Sequence, residues 1–471
     1  MYEQYWRKIE ALFREAGPAL DNFFRDVIAL RTGATTQARN DQIYPVFKNW
    51  FNDLDPSGQD IEPILRGLLQ AANYYAAFIL GRGVEGKLAD ALGQTRHLAD
   101  TPAILMMRLF ESHRESQSLS ERDFLEAIGL VESYLLRRAM CGLQTRGYWA
   151  TFAGLAKSLQ QDASLQNLKV EFTRLSESYK FPSNKEFTDA LKAENIYKFR
   201  VCRHLLERLE NADTNELTDT SGYSIEHIMP QNKNLSNAWK AMLGDDWEDV
   251  HDRYLHRLGN LTLTGYNSTY SDRSFEEKKT ISGGFNESAV RLNRYIREQV
   301  NWGAREIGQR EDQLAHKAVQ IWSQPDVDAN LVKQAQIQDL RALSADADPL
   351  EINMSESAKG LFEVLRSEVL QLGFESEVIE IASEKTVTYH GPDFFLEIIP
   401  RKRRLDLLLS LDFSEVDDPS GRAEDMDQRN FVTKATNHGG VLLLMDNPVD
   451  LEWVMPLLQQ SFASVALQPA D

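Results

Sequence analysis

The segment Tyr223-Ser224-Ile225-Glu226-His227-Ile228-Met229-Pro230-Gln231 sets a carboxylate beside an imidazole in a short apolar stretch that ends at a proline. Further along come Arg257-Leu258-Gly259-Asn260-Leu261-Thr262-Leu263-Thr264 and Gly265-Tyr266-Asn267-Ser268, then Ser271, Phe275, Lys278 and Lys279. These residue types suit hydrolysis of a phosphodiester. A hard divalent cation, Mg²⁺ or Mn²⁺, takes oxygen ligands, here the carboxylate of Glu226 and the amide oxygen of Asn267. Such a cation polarises the phosphate and stabilises the leaving 3′ oxygen. A neutral imidazole at His227 takes the proton from the attacking water. Lys278 or Lys279 would contact a neighbouring phosphate.

The positioning elements must overcome one geometric problem. Neighbouring side chains on a strand face opposite ways, so Glu226 and His227 can serve one reaction only at a strand end or twist. Pro230 supplies such an end. A tight turn at Gly259 feeds a second strand, and the stretch through Phe275 to Lys279 starts a helix. Strand, loop, strand, helix is a ββα-metal arrangement that would cluster Glu226, His227, Asn260 and Asn267. A glutamate–histidine pair in isolation is more often structural, and an asparagine beside a glycine is often only a turn.

Around this centre the chain reads as several domains. Residues 1–210 repeat apolar positions at helical spacing, as in Leu20 to Leu30, Ile43 to Phe51, Ile61 to Phe78, Phe124 to Leu136 and Tyr197 to Leu209. Pro18, Gly33 and Asp53 to Pro56 punctuate these runs, and Ser120 and Ser183 stand where helix caps belong. Residues 211–223 are polar and break the period. The expected nuclease domain is 211–330, with helical pattern returning from Ala289 to Trp322. Residues 331–355, acidic and alanine-rich, read as a linker. Residues 356–471 read as a small α/β domain: a helix over Leu361 to Leu372, strands over Lys385 to Tyr389, Phe394 to Pro400, Arg404 to Leu411 and Val441 to Leu444, and a closing helix over Leu451 to Phe462. The expected fold class is therefore multidomain, with a mostly α-helical N-terminal region, a ββα-metal nuclease domain in a helical setting and a C-terminal small α/β domain.

The formal net charge of -19 over 471 residues excludes a polybasic nucleic-acid wrapper. The acidity is uneven. Glu351 to Asp471 carries 22 acidic and 10 basic residues, whereas Ser221 to Asn330 carries 16 and 13. Cys141 and Cys202 are too few for a four-cysteine zinc site or a disulfide framework and read as reduced thiols. The start, with Glu and Lys interrupting its apolar residues, does not read as a signal peptide. The most apolar run, Ala71 to Leu80, is too short to cross a bilayer. A cytoplasmic location and no membrane partner are expected.

The central motifs resemble the HNH-type nuclease domain called DUF1524. The resemblance rests on Glu226-His227-Ile228-Met229-Pro230-Gln231, Leu258-Gly259-Asn260-Leu261-Thr262-Leu263, Asn267, Ser271, Phe275 and Lys278-Lys279. Such domains form the nuclease half of type IV restriction enzymes of the GmrSD kind, which attack modified phage DNA. The resemblance implies a metal-dependent endonuclease acting on double-stranded DNA. It makes His227 the general base, Glu226 and Asn267 the metal ligands, and Asn260 the residue that orients the histidine through a backbone contact. Glu226 departs from the pattern, since related sites often carry aspartate. No DUF262-type domain is found and no phosphate-binding GxxxxGK[ST] loop occurs. The resemblance therefore implies a separate DUF262-type NTPase subunit that senses the modification. The last domain, with His390-Gly391-Pro392-Asp393-Phe394 and Trp453-Val454-Met455-Pro456-Leu457, resembles the small DUF5655 domain.

Two other readings stand beside this one. A non-catalytic recognition or scaffold subunit would carry a decayed nuclease fold. A nuclease acting on RNA, or a toxin, would need aromatic and basic single-strand platforms, which are not evident. His251 and His256 fit no zinc spacing and read as structural or supporting residues near Asn260. The run Arg401-Lys402-Arg403-Arg404 is either a phosphate contact or a solvated turn.

Overall fold

The apolar spacing of the first 210 residues folds as helices in the computed structural model. The structure describes residues 1–54, 61–176, 178–193, 195–212, 214, 216–344, 349, 352, 354–374, 378–383, 385–391, 393–426 and 440–465. Pro56 and Pro392 from the sequence reading, parts of the polar stretch 211–223 and the expected linker, and the side chain of Ser268 lie outside the described residues.

Helices run over Ala19–Thr32, Ile61–Leu80, Ala103–Arg114, Glu121–Met140 and Tyr148–Ser158. They bury Phe23, Phe78, Leu105, Phe124, Tyr134 and Phe152 in one core. Full burial of such a side chain contributes about 1.5–3 kcal/mol. Ser120 caps its helix by accepting a hydrogen bond from the Asp123 amide, and Ser183 forms a reciprocal capping box with Glu186 over Asn184–Leu191.

One expected helix starts late. The run Tyr197 to Leu209 is helical only over Cys202–Asn211. The Asn195 side chain accepts from the Lys198 amide, and the Ile196 amide donates to the His256 carbonyl. An asparagine turn and this backbone bridge compete with the first helical turn, so Tyr197 stands on a loop.

The division expected at residue 210 coincides with no gap in packing. Met1–Asp326 form one compact unit. Leu136 and Met140 share a core with Leu205 and Leu209, with Leu258, Leu261 and Leu263, and with Leu314 and Trp322. Within this unit β1 (Ser224–His227) pairs antiparallel with β2 (Leu261–Thr264), placing Glu226 opposite Thr262 and His227 opposite Leu261. Short helices Asn267–Tyr270 and Phe275–Thr280 follow, then the long helix Ala304–Ile321. The strand, strand, helix order is the one anticipated from the motifs, but the connection expected as a loop carries two helices, Asn237–Leu243 and Trp247–Tyr254.

The second unit is Val327–Asp471. Most of the stretch read as a linker is a helix, Ala329–Ser344. Among the described residues the sheet runs in the order β3 (Ile379–Ala382), β4 (Val387–His390), β5 (Phe394–Pro400), β6 (Leu405–Leu409), β8 (Val441–Met445), β7 (Glu424–Asp425), with antiparallel neighbours throughout. Helices Glu356–Gln371 and Leu451–Val465 share its core through Phe362, Leu365, Leu457 and Leu458. The basic run Arg401–Arg404 lies between β5 and β6, where Arg401 and Arg404 both pair with Asp406 at 2.6 and 2.8 Å. Among the described residues no helix is long and apolar enough to cross a membrane.

Candidate active site

The site is built around the end of β1. Pairing continues one residue past the strand, where the Ile228 amide donates to the Asn260 carbonyl at 3.0 Å. The Asn260 side chain then clamps the exit. Its Oδ1 accepts from the Met229 amide at 2.8 Å and from the Trp302 indole at 3.0 Å. Its Nδ2 donates to the carbonyls of Met229 at 3.1 Å and Leu255 at 2.8 Å. Asn260 is fully buried, so each of these bonds replaces water that cannot reach it. Asn260 thus holds the backbone beside His227. Gly259 is required for a packing reason: a Cβ there would overlap the carbonyl of Ile307 in the helix Ala304–Ile321.

Glu226 and His227 have different neighbours, as strand alternation demands. Glu226 is buried and its Oε1 lies 2.5 Å from the ammonium of Lys278. Lys278 is 0% exposed and also donates to the His227 carbonyl at 3.0 Å. Burial pushes the Glu226 carboxyl above its ordinary range and the Lys278 ammonium below its own, and each partner's charge offsets the other's shift. Asn267 joins the same strand: its Nδ2 donates to Ser224 Oγ at 3.1 Å and to the Ile225 carbonyl at 2.9 Å. Lys279 donates to the Gln299 carbonyl at 2.7 Å and lies over the Phe275 ring. The two lysines taken from the sequence as phosphate contacts are thus largely buried and hydrogen-bonded within the fold.

His227 is 3% exposed. Its Nε2 lies 3.0 Å from Nδ1 of His256, and its own Nδ1 is buried with no hydrogen-bond partner among the described residues. Burial, then the neighbouring His256 and Lys278, pushes its pKa down to about 3, so it is neutral at physiological pH. The Tyr197 ring meets His227 edge-on at 4.7 Å and lies parallel to His256 at 5.6 Å. His251 is buried and its Nε2 donates to the Pro230 carbonyl at 2.9 Å, a structural bond.

The structure places Glu226, His227, Asn260 and Lys278 around the exit of β1, with Glu226 and His227 among different neighbours, and Asn267 against the first two residues of the strand, Ser224 and Ile225. Tyr197 and Trp302 were not anticipated. No composition or spacing signal marks Tyr197, because its run looks helical. Trp302 lies inside the run Ala289 to Trp322 read as helical, which the structure interrupts between helices Arg294–Glu298 and Ala304–Ile321, and its indole shows its role only once it reaches Asn260.

The donor types suit a hard divalent cation. Glu226 offers a carboxylate and Asn267 an amide oxygen, the latter turned from β1 because the amide nitrogen is bonded to it. Among the described residues no group of three or more His, Cys, Asp and Glu could hold a metal ion. A cation here would complete its shell with water and phosphate oxygens, as Mg²⁺ commonly does. It would also share Glu226 with Lys278.

Residues 181–317 match the family model described as GmrSD restriction endonucleases, C-terminal domain. That span contains Tyr197, Glu226, His227, His256, Asn260, Asn267, Lys278 and Trp302, so the strand end described above lies within the part similar to a restriction endonuclease. No match to a curated protein was found.

Proposed function

We propose that this chain is the HNH-type DNA endonuclease of a type IV-like restriction system, hydrolysing phosphodiester bonds in modified phage DNA. The observation that carries the reading is the neutral His227 at the strand end, where Asn260 clamps the next backbone turn and one buried imidazole nitrogen has no hydrogen-bond partner among the described residues. A group with this much burial and this little pairing is poorly explained as packing alone. The match of residues 181–317 to a restriction endonuclease domain supports the same reading.

In this reading the His227–His256 pair takes the proton from the attacking water, and Asn260 holds the backbone that aims it. Glu226 and Asn267 would hold Mg²⁺ or Mn²⁺, which when bound polarises the phosphate and stabilises the leaving oxygen. The charge of Lys278 favours the ionised form of Glu226 against the opposing effect of burial. Tyr197, Lys198 and Arg200 are exposed on the loop that covers the two histidines. Their cations are better placed than Lys278 and Lys279 to meet the DNA backbone.

A net charge of -19 disfavours binding to bare duplex. A separate DUF262-type NTPase subunit would bring modified DNA to the site, and cytoplasmic action on invading DNA follows. The test is cleavage of unmodified, glucosylated and phosphorothioated DNA with Mg²⁺ or Mn²⁺, with and without that subunit. His227→Ala should lower the cleavage rate by about 10²–10⁴-fold, the range of a general base. Cleavage by His227→Ala at the wild-type rate would remove His227 from catalysis, and no cleavage by the wild type with the subunit present would leave a scaffold role as the better account.

A further inference from the structure

The helix Ala304–Ile321 buries an arginine against the turn that carries Asn260. Arg310 is 1% exposed. Its Nη1 donates to the carbonyls of Leu261 at 2.7 Å and Gly259 at 2.8 Å and lies 3.4 Å from that of Leu258. Its Nη2 donates to the carbonyl of Leu292 at 3.2 Å. Among the described residues no carboxylate offsets the burial of this cation, so backbone carbonyls stand where a counter-charge usually would. Leu258, Gly259 and Leu261 flank Asn260, and their carbonyls converge on one guanidinium. Gly259 makes the reach possible. It lies against the Ile307 carbonyl with no room for a Cβ, and Arg310 follows Ile307 by three residues, on the same face of the helix. Anchorage of the turn to this helix has a second source. Arg257 Nε donates to Glu311, the neighbour of Arg310, at 3.1 Å. Arg310 adds a grip on the carbonyls at either side of Asn260.

We propose that Arg310 is a positioning residue of the site. By gathering the carbonyls around Asn260 it fixes the backbone from which the Asn260 amide clamps the exit of β1 beside His227. Converging carbonyls repel one another unless a donor sits between them. The forked guanidinium supplies one, bridging the turn on one nitrogen and Leu292 on the other. The four side-chain bonds of Asn260 run elsewhere, to Met229, Leu255 and Trp302. The turn is thus held from the helix by its main chain and holds the strand exit by its side chain. Arg310 makes no hydrogen bond to Glu226 or His227, so its route to the chemistry is through Asn260. A displacement of about 1 Å at a catalytic group can cost about 10²-fold in rate, so a residue that touches no substrate can still set the rate.

The inference rests on the nuclease reading, and the test separates the two. The full chain is assayed on whichever DNA the wild type cuts, with Mn²⁺, and rates are taken per folded molecule, with folding followed by circular dichroism. Arg310→Lys keeps the charge but has one nitrogen in place of the fork, so it cannot hold the turn and Leu292 as arginine does. Arg310→Gln serves if the lysine variant does not fold. The Trp302 indole N–H, bonded to Asn260 Oδ1, reports the position of the amide in a nitrogen–proton magnetic resonance spectrum. Its resonance is the one missing from Trp302→Phe. In Arg310→Lys, kcat should fall by about 10- to 10²-fold with KM little changed, and the Trp302 indole resonance should move and exchange its proton faster. Lowered stability with kcat and the indole resonance both unchanged makes Arg310 a structural support and overturns the inference. A fall in kcat with the indole resonance unchanged also overturns it, because Arg310 would then act by a route other than Asn260. If neither variant folds, Arg310 serves the fold itself and the inference is overturned. Each of these outcomes leaves the nuclease reading intact. If the wild-type chain cuts none of the DNAs tested, the nuclease reading falls and this inference with it.

Discussion

The first unit contains two buried clusters of similar chemistry and opposite character. In one, Glu132 accepts at Oε1 from the Trp322 indole at 3.0 Å, from Arg208 at 2.9 Å and from His204 at 3.2 Å, and at Oε2 from Arg208 again at 3.2 Å. In the other, Glu226 meets Lys278, and His227 meets His256. Burial pushes both carboxyls up. At Glu132 the hydrogen bonds from His204 and Arg208 outweigh it and hold the group below its ordinary value, whereas at Glu226 burial prevails. The Glu132 cluster is saturated and ties helix Glu121–Met140 to helix Cys202–Asn211 and to Trp322. Among the described residues the Glu226–His227 cluster leaves His227 Nδ1 and His256 Nε2 without a hydrogen-bond partner. An unpaired buried atom does not mark a site by itself, since Thr101 Oγ1 and Arg310 Nε are also buried without a hydrogen-bond partner among the described residues; His227 Nδ1 differs in belonging to a ring packed against His256 and Tyr197.

The largest expected effect tests the saturated cluster. Glu132→Ala would leave a guanidinium, an imidazole and an indole N–H facing an empty position, at a cost of about 3–5 kcal/mol for a broken buried pair. Denaturant unfolding should show that loss, while cleavage per folded molecule stays as in the wild type. A midpoint unchanged from wild type would break the comparison, because the two clusters would then be equally dispensable to the fold.

The next effect reads the unsaturated cluster through pH. His227 is held down to about 3 from an ordinary 6.5. Below 6.5 the unfolded chain binds a proton there that the folded chain refuses. The stability present above 6.5 is therefore lost as the pH falls toward 3. Glu132, depressed from an ordinary 4.5, adds nothing to that loss until lower pH. Between pH 7 and pH 5 the wild type should thus lose about 2 kcal/mol more than His227→Gln, measured by chemical denaturation. Parallel curves for the two proteins would show that His227 is not buried in the neutral form.

The sequence made the centre of this site readable because its parts fall in two contiguous motifs. Glu226 and His227 are adjacent, and Asn260 sits in a turn before β2. The contacts that give those residues their character come from elsewhere. Tyr197 is hidden in a run with helical spacing, and only the Asn195 turn and the bridge to His256 pull it out of the helix. His256 read as a supporting residue near Asn260, and the partner it meets, His227 Nε2 at 3.0 Å, could not be named from the spacing. Lys278 was expected as a phosphate contact, and a 0% exposed ammonium can be read only from the fold. At the level of architecture, helical spacing and the β5 to β6 stretch were clear, and β5 falls at Phe394–Pro400 as expected. The four-residue strand β3 was missed, being too short to carry a pattern. The helix Ala329–Ser344 was hidden by a composition that favours helix and linker alike.

The smallest expected effect concerns Asn267, which separates holding from binding on a single side chain. Its Nδ2 bonds to Ser224 and Ile225, so Asn267→Ala removes two hydrogen bonds from a half-buried group. Water can replace both partners there, and the loss of stability should be about 1 kcal/mol. That is much less than expected for the four fully buried bonds of Asn260. If the amide oxygen is a cation ligand, the variant should remain folded yet bind Mn²⁺ more weakly in an electron paramagnetic resonance titration, and cut DNA poorly at any tolerated Mn²⁺ concentration. If Asn267→Ala binds Mn²⁺ and cuts as the wild type does, the side chain is a brace for β1. The cation, if one is used, then rests on Glu226 and the phosphate. The effect on the fold is small in either case, so the contrast between stability and metal binding reads the function of this atom without interference from folding.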